Sequence, residues 1–121
     1  MTPTVVDLSE KLSLISKHWT PGIVAELNGQ HVKLVKLLGE FVWHSHEHED
    51  EMFLVLDGTL KIEFRDHDVT VERGQFIVVP RGVEHRPVAE RECAVMLFEP
   101  ASTVNTGDAG GGRTVANPDW I

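Results

Sequence analysis

The 121-residue sequence has a single cysteine and no long apolar run. One thiol, that of Cys93, cannot form a disulfide within the chain, which is consistent with a reducing compartment. No run approaches the roughly 20 apolar residues of a transmembrane helix, and the first residues lack the basic and apolar regions of a signal peptide. We therefore expect a cytoplasmic protein that does not insert into a membrane.

The sequence also lacks an excess of basic residues. Acidic residues outnumber basic ones by 19 to 11, which gives a net charge of −8 with neutral histidine. Such a surface repels the phosphates of nucleic acids and of anionic lipids, so neither is an expected partner. The content of 41% hydrophobic and 25% charged residues is that of a globular protein, and 1–121 has the length of a single domain.

A short amphipathic helix is predicted over about residues 7–19. Apolar residues at spacings of four, three and four line one face of it: Leu8, Leu12, Ile15 and Trp19. Asp7 is a suitable N-cap, and Glu10 stands three residues later in the capping-box position. A lone helix of this length is marginal in water, so its apolar face must dock on the sheet of its own chain or of a partner.

Strands are predicted from about residue 25 to residue 100. Apolar or alternating runs occur at His31–Leu38, Phe41–His46, Met52–Leu56, Thr59–Phe64, Val69–Glu72, Phe76–Pro80 and Cys93–Glu99. Turn-forming residues separate most of the runs, and Asp57-Gly58 is typical of a β-hairpin. Pro87 indicates a sheet edge or an irregular start of a strand. Short strands without intervening helices favour an all-β sandwich or barrel.

The last 21 residues, 101–121, are glycine-rich and have no hydrophobic periodicity. This pattern is typical of a mobile tail. The alternative is that Trp120 and Ile121 anchor the end of the chain on an apolar groove.

Histidines and carboxylates are concentrated between two of the predicted strands. His44 and His46 are two positions apart, so their imidazoles project from one face of an extended chain. Glu51 begins the next apolar run and returns beside the pair if the chain turns between them. His85 follows a Pro-Arg-Gly turn and can complete a set of three nitrogens and one oxygen. The alternative is a charged loop and an unrelated histidine.

The residue types in this set suit a transition metal. Neutral imidazole and carboxylate bind Fe, Mn, Co, Ni, Cu or Zn, and the lack of thiolates weakens the case for a closed structural zinc site. Four protein ligands leave one or two positions for water, oxygen or a chelating substrate. We therefore predict one divalent ion and a small-molecule substrate or ligand.

Two motifs make the chain resemble a small single-domain cupin. The first consists of a glycine, a spacer, His-x-His, a glutamate and a glycine, and it is matched by Gly39, His44, His46, Glu51 and Gly58. The second is matched by Gly74, Pro80, Gly82 and His85. The spacer after Gly39 is one residue short, and Ala89 stands where the second motif has asparagine. Neither departure changes a ligand position.

The resemblance implies a double-stranded antiparallel β-barrel, or jelly roll, with a metal held by His44, His46, Glu51 and His85. It also favours a homodimer, because small cupins commonly pair. We expect a metal-dependent enzyme, either a dioxygenase-like oxygenase or an isomerase or lyase similar to mannose-6-phosphate isomerase. In the isomerase or lyase, Glu51 would leave the metal and act as a general base. The alternatives are a non-catalytic module that binds a small ligand or metal, and a structural metal-stabilised barrel.

Other residues near the motifs have two interpretations each. His48 is either a group that supports the metal site at the mouth of the barrel or a solvated loop histidine, and the neighbouring Glu47, Glu49 and Asp50 are expected to be solvated. Four apolar residues either line a substrate pocket or belong to the core: Phe53, Val55, Met96 and Phe98.

Overall fold

The computed structural model describes residues 2–121, which form one α-helix and seven β-strands. In chain order these are α1 (Leu8–Ser13), β1 (Gly22–Leu27), β2 (Gln30–Glu40), β3 (Glu51–Asp57), β4 (Thr59–Phe64), β5 (Asp68–Glu72), β6 (Phe76–Val79) and β7 (His85–Pro100). Within residues 2–121 no helix has the length and apolarity needed to cross a lipid bilayer.

The long strand β7 connects two sheets into one barrel. Its C-terminal half lies between β2 and β3 in the order β1-β2-β7-β3-β6, and its N-terminal half pairs with β4, which in turn pairs with β5. Every one of these pairings is antiparallel. The predicted all-β, antiparallel jelly-roll barrel is confirmed.

The predicted hairpin at Asp57-Gly58 is wrong. Strand β3 pairs with β6 and β7, whereas β4 pairs with β5 and β7, so the chain changes sheets at this point. Gly58 makes the change with a φ of +87°, and a Cβ there would lie 3.0 Å from the carbonyl oxygen of Glu92. A left-handed backbone this close to β7 accommodates glycine and strains any larger residue.

Two predicted strands differ from the observed ones. The run Phe41–His46 is joined to the sheet by a single antiparallel bridge, between His44 and His85, and is not a regular strand. Strand β7 begins at His85, well before the predicted start at Cys93, and it includes Pro87. Pro87 lies close to the start of this strand, and its carbonyl accepts a hydrogen bond from the backbone of Phe41 at 2.9 Å.

The N-terminal helix ends at Ser13, earlier than the predicted residue 19. Its N-cap is the predicted Asp7, whose carboxylate accepts a hydrogen bond from the Glu10 amide at 3.1 Å. Beyond the helix the chain turns onto the barrel, and Trp19 takes a φ of +60°. The Trp19 amide donates to the carbonyl of Lys36 and its indole Nε1 donates to that of Leu38. This segment therefore docks on the barrel of its own chain.

The C-terminal segment, residues 101–121, packs along the barrel. Thr103 and Thr106 are buried, and the backbone of Ile23 exchanges hydrogen bonds of 2.8 and 3.0 Å with Asp119 and Ile121. The Ile121 side chain fills the space next to Gly22, where a Cβ would come within 2.7 Å of it. Of the two predicted alternatives, the structure shows the one in which the end of the chain is anchored.

The barrel core is built from the inward-facing residues of the strands. Its buried members are Val35, Leu37, Phe53, Val55, Leu60, Ile62, Val71, Val79, Ala89, Cys93, Val95 and Leu97. Burial raises the pKa of the Cys93 thiol to about 11, so this cysteine is part of the packing and is not a reactive thiolate.

Candidate metal centre

Four polar side chains meet inside the barrel. The nitrogen and oxygen atoms that His44, His46, Glu51 and His85 can offer to a metal lie within 4.8 Å of one another, and all four residues are buried. The first two lie on the loop between β2 and β3, whereas Glu51 and His85 are the first residues of β3 and β7. The structure therefore brings together all four of the ligands predicted from the motifs.

Backbone hydrogen bonds hold these segments side by side. The His44 amide donates to the His85 carbonyl at 3.1 Å, and the His85 amide donates to the His44 carbonyl at 2.9 Å. The Gly82 amide donates to the His46 carbonyl at 2.8 Å. The turn that precedes His85 is thus tied to the loop that carries the other two histidines.

Two of the histidines are oriented by a second contact of the ring. Nδ1 of His44 lies 2.9 Å from the carbonyl oxygen of Val42, and Nδ1 of His85 lies 2.9 Å from that of Val83. A carbonyl oxygen only accepts, so each Nδ1 is the donor, and in the neutral ring Nε2 then keeps its lone pair. This is the arrangement by which proteins orient metal-binding imidazoles.

The facing atoms of the cluster have no partner of their own. His46 Nε2 lies 3.4 Å and His85 Nε2 lies 3.6 Å from Glu51 Oε1, and none of these three atoms accepts or donates a hydrogen bond within residues 2–121. Buried polar atoms are rarely left unsatisfied, because desolvation without a partner costs roughly 1–3 kcal/mol each. Two atoms bound at about 2.1 Å to one ion are at most about 4.2 Å apart, so the cluster fits a metal after small side-chain movements.

The ionisation states suit metal binding. Burial, with help from the charge of His85, lowers the pKa of His44 from 6.5 to about 4. Burial acts to raise the pKa of Glu51, but the adjacent His46 and His85 outweigh it, and the pKa falls well below its usual range. At neutral pH the site therefore presents neutral His44 and a carboxylate, which are the forms that coordinate a metal.

Asp50 is exposed, as the sequence predicts, and it pairs with the turn that precedes His85. Its Oδ1 accepts a hydrogen bond from the Arg81 amide at 2.8 Å, and its carboxylate pairs with the Arg81 guanidinium at 3.2 and 3.3 Å. The Arg81 side chain is the main cause of a lowered Asp50 pKa. The two residues are 31 positions apart, and no local pattern connects them.

A small apolar cavity of about 40 Å³ adjoins the cluster. Its lining consists of Trp19, Pro21, Val35, Leu37, Phe41, His44, Glu51, Phe53, Pro87, Leu97 and Asn105. No lysine or arginine is among these described residues. Two of the four clustered side chains, His44 and Glu51, therefore face a small apolar space.

The predicted pocket residues have three different positions. Phe53 lines the cavity, and Val55 is fully buried in the core beyond it. The prediction that Met96 and Phe98 line the pocket is wrong, because the inward positions of β7 are the odd-numbered ones and these two are half-buried on its outer face. His48 is 79% exposed on the loop and contacts Glu47, which agrees with a solvated histidine.

Two of the cavity residues were assigned other places by the sequence. Trp19, predicted on a helix face, stacks on Phe41 with ring centroids 4.6 Å apart and 17° between planes. Asn105, predicted in the tail, reaches the cavity while its amide is hydrogen-bonded to the backbone of Arg113 and Val115. Neither residue carries a local signal for a pocket, because both arrive from outside the barrel motifs.

A buried ion pair next to the cluster was also missed. Lys33 Nζ lies 3.1 Å from Glu99 Oε1, and both side chains are almost completely buried. Burial first, and then the charge of Glu51, raise the pKa of Glu99 well above its usual range. The sequence does indicate that both side chains point inward, because Lys33 shares its strand parity with the buried Val35 and Glu99 shares its parity with the buried Leu97.

Comparison with known proteins agrees with this fold and site. Residues 31–99 match the family described as the cupin domain. A cupin-2 domain containing protein from Shewanella frigidimarina is 49% identical, with a TM-score of 0.78 over 79% of this chain and 94% of that chain. The structure of protein NMB1881 from Neisseria meningitidis is 33% identical, with a TM-score of 0.75 over 81% and 100% of the two chains.

A curated relative matches a shorter region. The Bacillus subtilis (strain 168) protein YdbB, itself uncharacterized, is 38% identical over 64 residues, which are 52% of this chain. The chain spans 57% of the length of that relative. With the barrel, the four-residue cluster and the match over more than half of its length, this chain belongs to the cupin family.

Proposed function

We propose that this protein is a metal-dependent enzyme of the oxygenase type that acts on a small, uncharged and largely apolar molecule. One observation carries the proposal: a cluster of four buried residues, in which three facing ligand atoms have no partner within residues 2–121, adjoins an apolar cavity that His44 and Glu51 line. Buried polar atoms that converge beside an apolar pocket are typical of a site that binds a metal and a small molecule.

The metal would be held by Nε2 of His44, His46 and His85 and by the carboxylate of Glu51. Bound there, iron or manganese would supply electron transfer to dioxygen, and zinc or nickel would supply Lewis acidity. The protein contributes the orientation of the imidazoles through the carbonyls of Val42 and Val83. Its apolar cavity walls exclude water and align a substrate beside the ligands.

Two features favour an oxygenase over a sugar-phosphate isomerase. The lowered pKa of Glu51 makes this carboxylate a weak proton acceptor, which suits a ligand better than a general base. The described residues that line the cavity also include no cation to bind a phosphate. A neutral substrate that reaches the metal through one polar group fits this lining.

The second candidate is a non-catalytic module that binds a metal or a very small ligand. The volume of the cavity favours it, because about 40 Å³ is far below the roughly 300–1,000 Å³ of most small-molecule pockets. A bound ligand that survives purification without turnover would support this alternative.

The test begins with metal-free protein reloaded anaerobically with Fe(II), Mn(II), Co(II), Ni(II), Cu(II) or Zn(II), and with elemental analysis of each sample. We expect one ion per chain, and oxygen uptake by the iron or manganese form with neutral catechol-like, β-diketone or thiol substrates. His46→Ala should lose the ion and the uptake while it stays folded. His67→Ala, which changes an exposed histidine paired with Asp66, is the matched control and should retain both.

Failure of every metal to bind would contradict the metal-dependent enzyme and would leave only a module that binds a small ligand without a metal. Stoichiometric metal with ligand binding and without turnover would leave the binding module.

We further propose that a second copy of the chain covers the outer face of the sheet β1-β2-β7-β3-β6. Apolar side chains run across neighbouring strands there, in the registers Phe76–Leu54–Met96–Leu34 and Val78–Met52–Phe98–Val32. Phe76 is 63% exposed and Val78 is 49% exposed at the β6 edge of this face, whereas Leu34 at its β2 end is already buried within the chain. Exposed apolar residues next to half-buried ones, as at the β6 end of this face, are typical of an interface. The cytoplasmic location of the protein also stays a prediction.

A further inference from the structure

The buried pair formed by Lys33 and Glu99 lies directly behind one of the candidate metal ligands. Both side chains are at most 3% exposed, and Lys33 Nζ also lies 3.4 Å from the carbonyl oxygen of Thr103. In the pairing of β3 with β7, Met52 lies opposite Phe98 and Phe53 lies opposite Leu97. The same register places Glu51 beside Glu99 on the inner face, where their carboxyl groups are in contact.

The two oxygen atoms of the Glu99 carboxyl group have different surroundings. Lys33 holds Oε1 of Glu99, whereas Oε2 has no hydrogen-bond partner among residues 2–121. On the other side of the contact, Glu51 Oε1 faces the imidazoles of His46 and His85. Residues Lys33, Glu99 and Glu51 thus form one buried row that leads from the C-terminal segment at Thr103 to the histidine cluster.

Stability alone does not explain such a row. Taking two charges out of water costs several kcal/mol per ion, and replacement of a buried ion pair by apolar residues of similar size is often neutral or stabilising. Groups that contact a metal-binding carboxylate, in contrast, commonly determine its orientation, and their loss typically lowers metal affinity 10–100-fold.

We propose that Lys33 and Glu99 are positioning residues, which hold the Glu51 carboxylate in the orientation that faces the three histidines. Lys33 fixes Glu99, and the length of the Glu99 side chain fixes where Glu51 stands. The inference rests on the proposed function in one respect, namely that the cluster binds a metal. The inference adds that two residues that do not contact the metal determine how tightly the site binds it.

The first experiment separates metal affinity from stability with the double variant Lys33→Met/Glu99→Leu. Urea unfolding of the metal-free protein should show a midpoint equal to or higher than that of the wild type. Co(II) affinity, measured by competition with a chelator, should fall about 10–100-fold, and the visible absorption spectrum of the bound Co(II) should change. Wild-type affinity and spectrum in this variant would overturn the inference.

The second experiment uses milder single variants and keeps the test valid if the double variant fails to fold. Glu99→Gln preserves the length of the side chain and should bind Co(II) within about threefold of the wild type. Glu99→Asp preserves the charge but is one methylene shorter, cannot reach Lys33 and Glu51 together, and should lose at least about tenfold. The reverse order would show that charge acts instead of position, and would overturn the inference. Wild-type protein that binds no Co(II) would remove the proposed function as well, so the two failures are distinguishable.

Discussion

At the scale of single residues, His44 combines burial, a fixed tautomer and a pKa far from its ordinary value. Burial and the charge of His85 lower that pKa from 6.5 to about 4. Between pH 6.5 and pH 4, His44 is therefore mostly protonated in the unfolded chain and mostly neutral in the folded metal-free chain. Stability from this residue is present above pH 6.5 and is lost as the pH falls towards 4.

We predict that the free energy of unfolding of the metal-free protein falls by about 3 kcal/mol between pH 6.5 and 4 because of His44. Urea unfolding at a series of pH values measures it. His44→Gln serves as the reference, since Asp50 and other carboxylates titrate in both proteins, and its dependence on pH should be weaker by that amount. If the free energy of unfolding of the two proteins depended on pH in the same way, His44 would bind its proton equally well in the folded and unfolded states, which would contradict the prediction.

At the scale of elements, the C-terminal segment closes over the loop that carries the histidines. The Ser45 amide donates to Asp108 Oδ1 at 2.8 Å, and the Asp108 amide donates to the Ser45 carbonyl at 3.0 Å. Gly107 makes this approach possible, because a Cβ there would lie 2.2 Å from the carbonyl oxygen of Ser45 and 3.2 Å from the ring of His44. The segment therefore acts on the site through its backbone.

We predict that Gly107→Ala lowers the free energy of unfolding by about 1–3 kcal/mol and weakens Co(II) binding, because the new methyl group pushes Ser45 and His44 away. Gly110→Ala is the matched control. Gly110 also has a positive φ, of +62°, but a Cβ there meets nothing within 4 Å, so this variant isolates the backbone cost from the clash. Urea unfolding and Co(II) competition give both quantities. Equal changes in stability and Co(II) affinity for the two substitutions would mean that the segment shifts its backbone without disturbing the site, which would contradict the prediction.

At the scale of the whole molecule, the two sides of the main sheet differ. Its inner face carries the core and the metal cluster, and its outer face is apolar across β2, β7, β3 and β6. Leu34 at the β2 end of this outer face is buried within the chain, whereas Phe76 and Val78 at the β6 end are exposed. Exposed apolar residues at one end of a sheet favour an interface there.

We predict a homodimer at micromolar concentration in analytical ultracentrifugation. Phe76→Glu/Val78→Glu should raise its dissociation constant at least about tenfold, which corresponds to about 1.4 kcal/mol, because two charges would enter an apolar interface. Co(II) affinity should not change. Leu14→Glu, at a similarly exposed apolar residue outside the sheet, should leave the dimer intact. A wild-type monomer, or a dimer insensitive to the edge substitutions, would contradict the proposed interface.

The sequence by itself determined the fold class and the four residues of the cluster. His44 and His46 are two positions apart, and the turn from Pro80 to Gly82 comes just before His85. These are local patterns, because side-chain direction in an extended chain and the conformation of a tight turn depend on neighbouring residues. The same locality explains the Asp7 N-cap.

Only the tertiary structure decided which strands pair and which residues surround the cluster. Asp57-Gly58 has the composition of a hairpin, yet β3 and β4 each pair along β7, because burying the inner faces of both sheets outweighs local turn preference. Trp19, Asn105 and Glu99 reach the site from distant parts of the chain. Their positions depend on long-range packing, and such contacts leave no periodic trace in a single sequence.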